Sequence, residues 1–458
     1  MLLTRNGFGV WSLVSKRAFK AIFNSPSLEV IENFKKKGFS DLKEIAIYIH
    51  FPFCHSICLF CPYVRYPLTK FGNEIFSKYI EALNSEMEIY GSMLRELGLK
   101  VKVADVHIGG GTPSLLEAEN FQSLRESIRQ SFDAEVSLAI EANPDDLADQ
   151  EKAFKLADAG VNEVSLGVQS FNPEALRKLG RVHGVTQSVQ AIQNLKDSGI
   201  GHINIDLMYM IPSKIGQPLQ SLKEWEEDLS QASEQPVDEI TCYPTLITNY
   251  SLGWKLVSRG EISQPSKKVF KQMVYMAEDY LTSKGFIPLE IYGYSKHSDW
   301  KYVTVNYEME GSLLGLGCGA AGFVNGYEYQ NTCFVPDYIE CVREKKLPIA
   351  GIREVDKLEH AIRFAVCELF ICRSLSFDVF KRKFGLEFHE LIGKSGFGRF
   401  LKMLKLLGKI KEKPEGLELT REGLFTAQQI CWSFVLNVPC RISEEFMKEA
   451  CPSKVAIP

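Results

Sequence analysis

Glu44-Ile-Ala-Ile-Tyr48-Ile-His50-Phe-Pro-Phe-Cys54-His55-Ser-Ile-Cys58-Leu-Phe60-Cys61 is a β-rich run leading into three cysteines. Ile45–Ile49 predicts a short strand, which puts the cysteines on the loop after it. Their gaps are three residues and then two. Thiolates so close in sequence can wrap one side of an iron-sulfur cube, and three ligands in place of four leave one iron open to an exogenous chelating group. The competing reading is zinc, with His50 or His55 as a fourth ligand, although the spacing is not that of a paired zinc knuckle.

Outward from this loop, β-rich runs alternate with helical patterns between residues 45 and 243, which predicts repeated βα units around a parallel sheet. The further candidate strands are Asp105–Ile108, Ser137–Ile140, Glu163–Gly167, Ile203–Leu207 and Glu239–Tyr243. Phe76, Tyr79, Ile80, Leu83, Met87, Tyr90 and Leu94 recur at three- and four-residue steps, so one stripe of a long helix faces the sheet. Further helices fit Glu117–Phe132, Gln150–Ala159, Pro173–Leu179, Thr186–Ser198 and Pro218–Ala232. Six parallel strands can curve into a partial barrel, where ligands collect at the carboxyl ends of the strands. The motifs meet that demand. The cysteines follow the first strand, Gly109-Gly110-Gly111-Thr112-Pro113 the second, Glu141 the third and Gln169 the fourth, and Asp206 lies near the end of the fifth.

At 458 residues with 45% hydrophobic content, the chain can bury a substantial core and is too long for one compact domain. Texture divides it into an N-terminal extension (1–43), a core (44–245), an accessory segment that completes the pocket (246–349) and a C-terminal domain (350–458) of helices followed by a small β-ribbon. The accessory segment contains Leu313–Gly322, whose small residues allow close approach to a ligand or another element. The net charge is -4 with no long block of one sign, so nucleic acid is not an expected partner. The amino terminus mixes apolar and basic residues without a cleavage site and reads as part of the fold or as an arm. No segment approaches the roughly 18 uninterrupted apolar residues of a membrane span, and a cytoplasmic protein is the default. Nine of the twelve cysteines are scattered and read as small buried apolar residues.

The cysteine loop, with Phe60 just before the third cysteine, and the Gly109–Pro113 segment resemble those of the radical SAM superfamily. That superfamily holds a 4Fe-4S cluster and cleaves S-adenosylmethionine (SAM) reductively to start radical chemistry. The resemblance spans residues 44–330 and is closest to the branch of oxygen-independent coproporphyrinogen III oxidase, the related heme chaperone and several radical SAM methyltransferases. It rests on Tyr48–Cys54, His107–Ser114, Glu141–Pro144, Gly167–Asn172, Gly180–His183 and Asn204–Leu207. It implies an α/β fold: a partial (β/α)6 radical SAM barrel, an additional α/β segment and a C-terminal helical, winged-helix-like domain. It implies cluster ligation by Cys54, Cys58 and Cys61, and contact of Tyr48, Phe60, Gly110 and Glu141 with the SAM on the cluster. Gly111, Thr112, Gln169, Arg181 and Asp206 match positions that contact a second SAM in the oxidase. A small-molecule substrate, anaerobic chemistry and a low-potential electron donor such as flavodoxin or ferredoxin follow from the same resemblance.

Two departures guide the expected reaction. The oxidase carries another cysteine soon after its third ligand, whereas this chain reads Cys61-Pro-Tyr-Val-Arg-Tyr-Pro67. The heme chaperone subgroup has a His-Asn-x-x-Tyr-Trp stretch, whereas this chain has Val303-Thr-Val-Asn-Tyr-Glu308, with His297 nearby as a stand-in for the histidine. The expectation is therefore methyl transfer, with a second SAM as carbon donor, onto an aromatic, quinone or tetrapyrrole-type substrate. The alternatives are tetrapyrrole modification, by decarboxylation or anaerobic heme ring opening, and non-catalytic heme carriage. DNA binding by the C-terminal domain is disfavoured by the mixed charge of Arg373–Lys413. No side chain is singled out as catalytic.

Overall fold

The computed structural model describes residues 28–431 except 41, 73, 248–250 and 299–310. Most of the expected N-terminal extension, the Val303–Glu308 stretch and the end of the chain from 432 lie outside the described residues. The fold is built on six strands, β1 (Glu44–Phe51), β2 (Lys102–Gly110), β3 (Leu138–Ala142), β4 (Val161–Gln169), β5 (His202–Tyr209) and β6 (Glu239–Pro244). They neighbour one another in order and in parallel. Two short strands, β7 (Ile287–Pro288) and β8 (Gly293–Ser295), continue the sheet beyond β6. On the other side β9 (Leu313–Leu316) pairs in parallel with β1. An antiparallel run, β10 (Ala321–Val324), β11 (Tyr327–Asn331) and β12 (Ile349–Glu354), completes the twelve-stranded sheet.

Strand register explains why the core strands alternate in polarity. Ile49, Ile108, Ile140, Val164 and Ile203 are register partners across five strands, and all are buried. Their face takes the helices, since a row of apolar side chains must leave water. The intervening positions form the opposite face: Tyr48 and His107; Glu141 and Ser165; Glu163 and His202; Asn204 and Glu239; Asp206 and Thr241. Parallel strands covered on both faces usually read as continuous apolar runs. Here the inner face is polar, as in barrels that hold a ligand rather than a packed core.

The covering helices lie close to their predicted positions. In α1 (Glu74–Glu96) Tyr79, Ile80, Leu83, Met87, Tyr90 and Leu94 are buried, each worth roughly 1.5–3 kcal/mol for a fully buried large apolar side chain. Next come α2 (Ala118–Phe132), α3 (Gln150–Asp158), α4 (Pro173–Leu179), α5 (Val185–Asp197) and α6 (Leu222–Ser233). The start expected at Pro218 is wrong: Ser221 caps the helix in a reciprocal capping box with Glu224. The Pro218 carbonyl instead accepts hydrogen bonds from Ser213 just before it and from Lys178 on α4. Two helices of the accessory segment follow, α7 (Leu252–Ser258) and α8 (Lys267–Ser283), then α9 (Val335–Arg343). Beyond β12 lie α10 (Lys357–Phe370), β13 (Ser374–Ser376), α11 (Phe377–Phe384), α12 (Phe388–Leu391) and α13 (Gly396–Leu406). A ribbon of β14 (Ile410–Lys413) and β15 (Gly416–Leu419) follows, with β13 paired to β15. This is the helical and winged arrangement expected of the C-terminal part. It is seated on the barrel by Tyr209 Oη donating to Gln428 Oε1 (2.7 Å) and by the Phe270–Phe425 ring pair.

Candidate active site at the barrel mouth

The loop carrying Cys54, Cys58 and Cys61 leaves β1 and is tied down on several sides. Gly111 and Thr112 N–H donate to the Phe51 and Phe53 carbonyls, each at 2.8 Å, while Leu59 N–H reaches Leu179 O and Leu59 O accepts from Gly253 N–H. Tyr66 Oη donates to Cys333 O. Backbone from α4 and α7 thus pins the middle of the loop, which holds the three thiols within electrostatic reach of one another. Burial pushes the Cys54 thiol up to about 12, helped by the neighbouring Cys61, while Thr112 hydrogen-bonds its thiolate and pulls the other way. Burial also raises Cys61, opposed by Arg65. Among the described residues no three His, Cys, Asp or Glu side chains converge enough to hold a single metal ion.

His50 is not available as a fourth ligand. Tyr48 Oη lies 3.0 Å from its Nδ1, and its Nε2 lies 2.8 Å from the Val64 carbonyl. A carbonyl can only accept, so Nε2 carries the proton and Nδ1 accepts from Tyr48. Burial lowers the pKa of His50, which keeps the ring neutral and both nitrogens occupied. His55 is exposed on the loop.

The glycine segment is shaped by what surrounds it. A Cβ on Gly110, at φ 98°, would overlap the His50 ring, and one on Gly109 would meet the Glu141 carboxylate. Gly110 N–H donates to Glu141 Oε2 at 3.0 Å, and His107 Nε2 lies 3.6 Å from Glu141 Oε1. Burial opposes protonation of His107, but Glu141, Glu163 and Asp105 together outweigh it and the pKa is raised. Glu141 is thereby fixed at the end of β3, beside the cysteine loop.

Arg181 joins three motifs. Its Nη1 donates to Cys58 Sγ (3.1 Å), and its Nη2 donates to Asn143 Oδ1 (2.6 Å) and Gly167 O (3.1 Å). Its Nε, like Nε and Nη2 of Arg65, is buried without a partner among the described residues. Thr112 receives a hydrogen bond from Asn143 Nδ2. Gln169 ends β4 in the left-handed region (φ 67°), a conformation a non-glycine residue adopts only when its surroundings impose it. Just after it, Asp228 on α6 holds the chain by accepting from Ser170 Oγ and Phe171 N–H. Phe60 packs on a small apolar cluster of Ala175, Leu179, Met208 and Ile211.

Asp206 sits deeper than expected, because β5 continues to Tyr209. Ser165 and Asn204 donate to it. Burial and then the charge of Glu141 push its pKa up to about 7. Below it, Glu163 and Glu239 are also raised by burial. The sequence reading missed His107, Asn143, Ser165, Asn204, Glu163 and Glu239. Except for Asn143, which follows β3, their signal was the polar half of the alternation within strands that are parallel.

One expectation is corrected. His297 cannot serve the mouth: its Nε2 lies 3.2 Å from Asp238 Oδ1, just before β6, at the opposite end of the barrel. The small residues of Leu313–Gly322 give the close approach to another element that was one of their two expected uses. Gly317 lies against the His50 carbonyl and Tyr79 Oη, and its N–H donates to buried Glu86. A recess of about 490 Å³ lined by Arg125, Ser137, Gly160 and Gly199 opens at the amino-terminal ends of β3 and β4, away from all these residues.

Residues 48–225 match the family described as the radical SAM superfamily. The heme chaperone HemW of Bacillus subtilis (strain 168) is 28% identical over 394 residues, covering 85% of this chain and 98% of that protein. HemW of Escherichia coli (strain K12) is 31% identical over 285 residues, covering 62% of this chain and 71% of that protein. Among solved structures, coproporphyrinogen III oxidase (HemN) from Escherichia coli shares the fold over 91% of this chain and 97% of its own, with a TM-score of 0.71 and 20% identity. Methyl transfer, the expectation drawn from the motif departures, finds no support among these relatives; the heme-related alternatives fit them better.

Proposed function

This chain belongs to the radical SAM superfamily, in the branch of HemW and coproporphyrinogen III oxidase, and from that premise we propose that it binds heme and hands it to an acceptor. The observation that carries this reading is the end-to-end likeness to a heme chaperone, which extends far past the barrel to 98% of the Bacillus protein.

The residues at the mouth fit the cofactors that the family implies. Cys54, Cys58 and Cys61 lie near one another without converging on a point, as ligands of a cube with its irons at separate corners must. The orphaned guanidinium N–H groups of Arg65 and Arg181 beside these thiols suit an anionic cluster. A 4Fe-4S cluster bound there supplies one-electron reduction and an open iron position. Glu141, held by Gly110 and His107, would face the amine of SAM, with Tyr48 and Phe60 at its flanks. The carboxylates of the lumen favour a cationic ligand such as a sulfonium. A second SAM at Gly111, Thr112, Gln169, Arg181 and Asp206 remains part of this proposal. Three of the five N–H donors of Arg181 already bond protein, which leaves Nε–H and one Nη1 N–H for a carboxylate.

The histidines narrow where heme could be ligated. Of the eight, His50, His107, His183 and His202 are bonded within the barrel, and His360 is packed between Phe323 and Phe384. His297 is at the far end, and His389 pairs with Glu412 in the C-terminal part. That leaves His55, on the cysteine loop, as the imidazole open at the mouth.

The test is anaerobic. Reconstituted protein is titrated with hemin, then offered an apo-hemoprotein, and separately incubated with SAM, dithionite and candidate substrates. A saturable Soret band that moves to the acceptor is the expected result. Formation of S-adenosylhomocysteine with a product about 14 mass units heavier, and no retained heme, would return the reading to methyl transfer.

A further inference from the structure

The outer tip of α13 carries a surface that the fold does not use. Leu401 and Leu404 are buried and Phe397 and Phe400 pack on the core, so the apolar stripe of this helix is already spent. Met403, Leu406 and Leu407 nevertheless stand outside, 41%, 89% and 58% exposed, and Leu406 is the most exposed large apolar side chain among the described residues. Their spacing of three and four residues gathers them into one patch. Gly408, at φ 67°, reverses the chain immediately afterwards, which makes the patch a protrusion.

Charge around the tip is one-sided. Residues 394–413 hold seven Lys and Arg against a single acid, Glu412, in a chain whose net charge is -4. The mixed charge of Arg373–Lys413 therefore separates, because Asp378, Glu387 and Glu390 all precede this segment. Lys405 is neutralised by Glu412, Lys409 by Glu422 and Lys413 by Glu418. Arg399, Lys402 and Lys411 form no ion pair among the described residues.

We propose that this tip docks on an anionic lipid surface, with Leu406 and Leu407 entering the acyl boundary and Arg399, Lys402 and Lys411 at the headgroups. An apolar knob ringed by cations is the composition of an interfacial anchor. Lipid accepts a protrusion without a matching pocket, whereas a protein partner must supply one. Nucleic acid would use the cations but has no place for two exposed leucines, since phosphate contacts dominate its affinity. Among the described residues no helix is long and apolar enough to cross a membrane, and the contact proposed here is a peripheral one. The proposal stands apart from the heme reading and does not rest on it.

The test is co-sedimentation of the full chain with phosphatidylcholine vesicles, with and without about a third phosphatidylglycerol. Binding is expected only with phosphatidylglycerol, weakening several-fold in high salt. The double variant L406S/L407S should bind at least tenfold more weakly, and R399E/K402E should lose the preference for charged lipid. All four side chains are exposed, so circular dichroism and cluster absorbance should match the parent. No binding to charged vesicles overturns the proposal, as does binding that the leucine variant leaves unchanged. A fluorescent DNA duplex is the second arm: binding lost in R399E/K402E and kept in L406S/L407S, with no vesicle binding, would make the tip a nucleic-acid surface instead.

Discussion

Replacing Asp206 with Asn tests whether the lumen is built for a cation. The carboxyl is pushed from 3.8 to about 7 by burial and by Glu141. At about 1.36 kcal/mol per pKa unit, ionising it in the empty lumen costs roughly 4 kcal/mol, an upper bound because the side chain is not wholly buried. The raised pKa fixes the sign. The contribution of Asp206 to stability is whole below its unfolded value of 3.8 and is lost as pH rises through about 7. D206N keeps an acceptor for Ser165 and Asn204 and removes the charge, so at pH 8 the ligand-free protein should be more stable than the parent. A sulfonium about 5 Å from an ionised Asp206 gains about 3 kcal/mol at an effective dielectric constant of about 20, on the order of a hundredfold in affinity. The assay is equilibrium SAM binding by anaerobically reconstituted protein, with thermal unfolding alongside. Binding by the parent should tighten between pH 6 and pH 8 as Asp206 ionises, and D206N should bind weakly with little dependence on pH. Equal pH dependence in both proteins, or a variant with parental affinity, would show that Asp206 does not face the cation.

Other outcomes follow from the same geometry. G110A places a side chain at φ 98° against the His50 ring, so it should lose about 3 kcal/mol or more in thermal unfolding and assemble its cluster poorly. D228A leaves Ser170 Oγ and Phe171 N–H without their acceptor and should cost about 1–3 kcal/mol in urea unfolding, while D228N, which retains an acceptor oxygen, should cost less. If His55 ligates heme, H55A should shift or abolish the Soret band that H297A preserves, because His297 is paired to Asp238 at the other end of the barrel.

Much of this was legible because it is local in sequence. Three cysteines on a loop after Ile45–Ile49 and glycines after the next strand announce themselves by spacing. The apolar stripe of α1 follows from its helical period. The start of α6 is equally local, in the reciprocal capping box of Ser221 and Glu224. The preference for methyl transfer rested on single positions, Val303 and the residues after Cys61, and these weigh less than likeness along the chain. The function of Gly317 could not be read from its own segment, because what crowds it is the His50 carbonyl, far away along the chain.

By itself, then, the sequence determined the family, the run of six parallel strands and the grouping of three thiols on one loop, since each depends on spacing within a few residues or on a repeated period. Only the tertiary structure decided that His50 is spent on Tyr48 and Val64, that Arg181 reaches Cys58, and that Asp206 shares the lumen with Glu141. It also decided that Leu406 lies outside although the helix that bears it is packed. The physical reason is range. Propensity and period act over a turn or a strand, whereas proton sharing, burial and charge depend on which distant segments the twelve-stranded sheet brings within a few ångströms.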